Sequence, residues 1–181
     1  MKLIIVFIFS FIIIFNPLNI NIIKAGNADG REINDPIFKF TMVLPDGWNT
    51  KDIKETADKD GISYSFERND KHCTIMLLAF KLTTVKNLDD FIYTMEKDVS
   101  LNIPSKSGDY TSSDADTYDM KSAVYKDSQF TENISYYRTK LVDAPNNYVY
   151  MLRVITTNEY DNSDMQNQIK KISDSFLPTA K

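Results

Sequence analysis

Apolar and polar positions alternate from Phe38 onward: Phe38, Phe40, Met42 and Leu44 are separated by Lys39, Thr41 and Val43. Period two with aromatics predicts a strand with one buried face. Pro45-Asp46-Gly47 then supplies a turn, because Pro presets φ, Asp tolerates the bridge region and Gly accepts a positive φ. The turn delivers Trp48, the only tryptophan, to the edge of the core, so Pro45, Gly47 and Trp48 read as structural residues. Residues 51–59, KDIKETADK, are too polar for a core. Alternation resumes over residues 61–67 with Ile62, Tyr64 and Phe66 inward, and residues 68–71 turn the chain. Residues 72–82, HCTIMLLAFKL, are apolar on both parities, as a strand covered on both faces requires.

The period then changes. Asn87 and Asp90 mark a helix start, and Leu88, Phe91, Ile92, Met95 and Val99 follow at spacings of three and four, forming one apolar face before Pro104. Residues 105–119, SKSGDYTSSDADTYD, read as a polar loop leading into a strand. Residues 120–129 and 133–142 are strands, and a hairpin turn over residues 143–147 leads to a second two-sided strand, residues 148–157, YVYMLRVITT. Ser163-Asp164-Met165-Gln166 is a capping-box signature, followed by a stripe of Met165, Ile169, Ile172 and Phe176 that stops at Pro178. About six to seven strands with one helix in the middle and one at the end predict an α+β domain, an antiparallel sheet covered by helices. Two strands apolar on both parities predict three layers.

The first residues decide the compartment. Lys2 precedes an apolar run over residues 3–15 broken only by Ser10, which is too short to cross about 30 Å of hydrocarbon comfortably. Residues 1–25 are therefore expected to be a secretory signal cleaved after Ala25 or Ala28, with an uncleaved amino-terminal anchor as the alternative. Residues 26–36 are expected to form a flexible leader, and residues 37–181 a single domain. Cleavage removes Lys2 and Lys24 from the 21 basic residues and no acid, leaving 19 against 25 acidic residues. That balance disfavours nucleic acid or an anionic membrane surface as partner. The lone Cys73 cannot form an internal disulfide, so apolar burial must supply the stability.

FKFTMVLPDGW followed by a Gly-led aromatic strand resembles the opening of PsbP-like domains, which start with an aromatic strand and then Pro-x-Gly-Trp. Tyr148-x-Tyr150-x-Leu152 and Ile172-x-x-Ser175-Phe176 resemble the close of the same superfamily. It includes the extrinsic photosystem II subunit P, a nuclear transport cofactor that binds a small GTPase, and many exported bacterial proteins. The resemblance implies an α/β/α sandwich and transfers no function, because none of the relatives' binding residues is matched.

Catalytic chemistry is thinly supplied. The only imidazole, His72, adjoins Cys73 on a strand, and strand neighbours point to opposite faces, so no nucleophile–base pair forms between them. Cys73 shares its parity with Ile75, Leu77 and Ala79 and is expected in the core. One His and one Cys cannot build a transition-metal site. Asp109, Asp114 and Asp116 form the densest acidic stretch, but the spacing from Asp114 fails the EF-hand pattern, so they remain only a weak cation candidate. With five glycines in the chain and no phosphate-loop or zinc-protease motif, no cofactor is expected. Tyr136, Tyr137, Tyr148 and Tyr150 are expected mostly in the core. Asn133-Ile134-Ser135 is a glycosylation sequon only in a host that modifies exported chains.

These readings converge on an exported, periplasmic or secreted, non-catalytic accessory or binding protein. It would be a monomer acting on a protein partner of the cell envelope through a surface or a shallow groove beside the sheet. A carboxylate-based envelope hydrolase, with two acids about 5–10 Å apart in a cleft, is the alternative. A ligand- or cation-sensing module is a third.

Overall fold

A computed structural model of the protein describes residues 30–140 and 147–179. The expected signal segment lies outside these residues, as does most of the turn before the last long strand. The fold is α+β. Seven antiparallel strands form the main sheet: β3 (Trp48–Glu55), β4 (Gly61–Arg68), β5 (Cys73–Leu82), β6 (Ser105–Asp114), β7 (Tyr118–Lys126), β8 (Phe130–Thr139) and β9 (Asn147–Thr157). Their spatial order is β3-β4-β5-β9-β8-β7-β6. A small second sheet, in order β1-β2-β10, joins β1 (Arg31–Asp35), β2 (Phe40–Leu44) and β10 (Leu177–Pro178). Helices α1 (Leu88–Lys97) and α2 (Ser163–Ser175) complete the domain.

Strand parity divides the main sheet into two buried faces. Cys73, Ile75, Leu77 and Ala79 of β5 and Tyr148, Tyr150, Leu152 and Val154 of β9 pack with β2 and with Met165, Ile169, Ile172 and Phe176. Phe80, Ile134, Tyr136, Val149 and Met151 point the other way, onto Leu88, Phe91, Ile92 and Met95 of α1. The consecutive Tyr136 and Tyr137 thus serve opposite layers, and both are buried. This is why β5 and β9, the two central strands, are apolar on both parities.

Around FKFTMVLPDGW the buried set is Phe38, Phe40, Met42, Leu44 and Trp48, with Phe38 just ahead of β2. Gly47 has φ of 85°, and its carbonyl accepts from Asn69 N, joining the two adjacent turns. Phe176 is the hub of this core, stacked on Phe40 at 5.6 Å and tilted on Tyr137 at 4.6 Å. The Tyr150 hydroxyl donates into the Phe38 and Lys39 carbonyls, 2.8 and 2.9 Å away, and so holds Lys39 at φ 57°.

Five features depart from the sequence reading or add to it. Residues 31–35, expected in a flexible leader, form β1 in antiparallel register with β2 from Arg31↔Leu44 to Asp35↔Phe40. Asp35 anchors that hairpin, accepting from Ile37 N, Phe38 N and, at 2.6 Å, the Tyr64 hydroxyl. The polar residues 51–55 belong to β3, and residues 105–114 form β6 rather than a loop. Both are edge strands held by backbone pairing, so they carry little of the apolar period that marks the central strands. Val99 is 93% exposed instead of completing the α1 stripe. The helix ends at Lys97, and Asp98 caps a 3-10 turn over Val99–Leu101. In α2 the capping residue is Asn162, which accepts from Asp164 N and Met165 N, one position before the expected box.

Candidate functional site

The main sheet is wider than the layer above it. Beyond α2, the same face of β6, β7 and β8 forms the floor of an open groove of about 310 Å³. From β6 come Ser107, Asp109 and Thr111; from β7, Met120, Ser122 and Val124; from β8, Asn133, Ser135 and Tyr137. The period of two explains each set, because alternate residues of a strand share a face. The opposite wall is one flank of α2, where Gln166, Ile169, Lys170, Ser173 and Asp174 recur at helical spacing.

The polar groups differ in how well they are satisfied. Lys170 Nζ reaches Asp174 Oδ2 at 2.6 Å along the helix. Gln166 Nε2 donates to Asp161 Oδ1. Asn133 Nδ2 is buried with no hydrogen-bond partner. Asp109 is exposed and enters no ion pair among the described residues. It lies on a β6 bulge, where register jumps from Ser107↔Val124 to Thr111↔Ser122 and Gly108 takes φ of 87°. Tyr137 closes the floor with its phenol pushed up by burial, and Tyr118 meets its ring edge-on at 5.8 Å.

The three acidic residues singled out in the sequence do not come together. Asp109 faces the groove, while Asp114 pairs with Lys140, whose Nζ is also 3.6 Å from Asp119 Oδ1. Lys140 holds the Asp114 carboxyl below its ordinary range. Asp109 and Asp114 are five residues apart on one strand, on the order of 15 Å. Asp116 is exposed in the β6–β7 turn. Among the described residues no group of three His, Cys, Asp or Glu side chains converges. Pro45, Gly47 and Trp48 sit at the β2–β3 corner, away from the groove-lining strands.

His72 and Cys73 separate as strand geometry requires. The His72 ring stacks on Tyr160 at 3.5 Å, whereas Cys73 is buried with its sulfur 3.3 Å from Thr156 Oγ1. Burial pushes the Cys73 thiol up, so the thiolate is disfavoured. The sequon also lies in the fold. Asn133 and Ser135 lie on β8, paired between β7 and β9.

Two polar clusters escaped the sequence reading, both on the α1 face. Arg153 and Glu132 form a buried bidentate pair, with Nη2 2.7 Å from Oε2 and Nη1 donating to the Leu101 carbonyl at 2.9 Å. Desolvation outweighs Arg153 and pushes the Glu132 carboxyl up. Glu96 of α1 accepts from the hydroxyls of Tyr110 and Tyr125, and burial with that carboxylate raises the Tyr110 phenol to about 12. Both clusters are internally satisfied and fasten α1 and its 3-10 extension to the sheet. A smaller apolar pocket of about 60 Å³ lies beside that extension, between Leu78, Phe80, Met95 and Leu101.

Comparison with known proteins gives the fold. No protein-family model matches the chain, and no curated protein matches it. The Ran-binding protein Mog1p of Saccharomyces cerevisiae aligns with a TM-score of 0.50 at 12% identity, over 84% of this chain and 97% of Mog1p. The chain shares its fold with Mog1p. A Bacteroides thetaiotaomicron protein also reaches a TM-score of 0.50, at 13% identity, over 85% of this chain and 50% of that one. LpqN of Mycobacterium tuberculosis, involved in cell envelope biogenesis, gives 0.48 at 14% identity, over 86% of this chain and 88% of LpqN. At identities this low, the two alignments that reach 0.50 speak for architecture alone.

Proposed function

We propose that the protein is an exported, non-catalytic binding protein of the PsbP-like superfamily that engages a partner through the groove between α2 and β6–β8. The groove carries this reading: it is a broad concavity that combines an apolar floor of Met120, Val124 and Tyr137 with polar groups left unmatched. Its volume falls at the lower end of the ordinary range for binding sites. Export is supported by the short apolar run behind Lys2. The opening and closing motifs and the Mog1p-like fold support the superfamily. Mog1p itself binds Ran, a precedent for protein recognition on this architecture.

One observation favours the hydrolase alternative, since Asp109 and Asp174 line the same groove. Both are exposed and Asp174 is engaged by Lys170, so neither has the apolar enclosure that readies a carboxyl as general acid. Affinity capture from envelope extracts tests the proposal. A specific partner that is lost on groove substitution is expected. Turnover of any substrate, together with no specific capture, would defeat it.

A further inference from the structure

We infer that the groove takes an extended peptide segment bearing a basic side chain; this rests on the groove-binding reading above and names the chemistry of the partner. Two features of the groove ask for opposite complements. Asn133 Nδ2 is a buried donor without an acceptor, and buried amide donors are nearly always satisfied. Asp109 is a carboxylate without a cation among the described residues, while the other groove acid, Asp174, already has Lys170. The groove therefore carries one negative charge in excess. A ligand that answers both needs presents a carbonyl to Asn133 and an ammonium or guanidinium to Asp109.

A peptide supplies both at once, a main-chain carbonyl at every residue and a Lys or Arg side chain nearby. The hydroxyls of Ser107, Thr111 and Ser122 either donate or accept, so they suit the alternating N–H and C=O groups of an extended chain. A neutral saccharide would meet the hydroxyls but leave Asp109 uncompensated, and an anionic ligand would be repelled by it. The apolar floor gives the intervening side chains a surface to cover. Binding is across the face of the sheet, not along its edge.

The test is amide chemical-shift mapping on ¹⁵N-labelled protein with acetyl-Gly-Ser-Thr-Lys-Thr-Ser-Gly-amide and its Lys→Glu counterpart. Shifts should centre on Asp109, the Asn133 side-chain amide, Ser135 and Ile169, with the Glu peptide about tenfold weaker. Asp109→Asn, at an exposed site, should keep the folded spectrum and abolish the preference. Equal affinity for both peptides, no binding by either, or shifts outside the groove overturn the inference. If chitobiose shifts the groove residues while neither peptide does, groove binding stands and the peptide assignment fails. If nothing perturbs the groove and a captured envelope partner cross-links elsewhere, both readings fail.

Discussion

The indole of Trp48 is 6% exposed within the main core, yet its Nε1 is buried without a partner. Trp48→Ala is expected to cost about 3–5 kcal/mol in urea unfolding, because it deletes a ring from the packed corner. A stable Trp48→Ala protein with a lost binding activity would make the residue a contact instead of a wedge. Cys73 should stay unlabelled by a thiol reagent in the native state and react stoichiometrically only on unfolding, given its burial and raised thiol. The buried pair on the α1 face behaves differently from either. Arg153→Met leaves the Glu132 carboxyl enclosed without its cation and should cost about 3–5 kcal/mol, whereas adding Glu132→Leu should recover much of the loss. Because the folded Glu132 pKa lies above its unfolded value, its contribution is complete below the unfolded value and is lost as pH rises through the folded one. The stability difference between wild type and Glu132→Gln should therefore shrink on raising the pH from about 4. A difference that grows over that interval would mean that Arg153 outweighs desolvation.

The elements with strong periods were the legible ones. β2, β4, β5, β9 and both helices carry their apolar positions at period two or at three and four, and each occurs where that pattern places it. The α1 cap was legible to the residue: Asn87 Oδ1 accepts from Asp90 N at 2.8 Å, and Asn87→Ala should cost about 1 kcal/mol. In α2 three successive residues, Asn162, Ser163 and Asp164, are all good caps, so pattern alone could not choose among them. The extended backbone of Asn162 makes it the one that accepts from the first turn. β1, β3 and β6 were hidden for another reason. Period finds a strand only where one face is buried, and β6 is exposed at nine of its ten positions. A weaker signal was present there: the β-favouring Tyr110-Thr111 and Tyr118 stand on either side of the polar turn Asp114-Ala115-Asp116-Thr117. Gly61, at the start of β4, fits against Phe80, whose Cδ1 would lie 2.8 Å from an added Cβ. Gly61→Ala is expected to destabilise by about 1–3 kcal/mol through that overlap, measured by denaturant unfolding.

At the scale of the whole domain, one face of a wide sheet is only partly covered. The small sheet and α2 roof the β4-β5-β9 side, and β6 and β7 extend past them. Each outer strand of the main sheet carries a bulge, β3 between Thr50 and Asp52 and β6 between Ser107 and Thr111. Bulged, polar edges resist pairing with another chain, which fits the proposal that recognition uses the groove rather than an edge. The groove was legible only by halves. The polar flank of α2 could be read from helical spacing, but Asp109 and its neighbours became a floor only once β6 was a strand. The pairing of a buried, unmatched Asn133 amide with an exposed Asp109 belongs to tertiary structure and leaves no local pattern. Photo-cross-linking in the native envelope, with the reactive group at Ser122 in the groove or at Lys59 in the β3–β4 turn, tests groove recognition most directly. Groove recognition predicts one discrete adduct from Ser122 and none from Lys59; the same adduct from both positions, or from Lys59 alone, would contradict it.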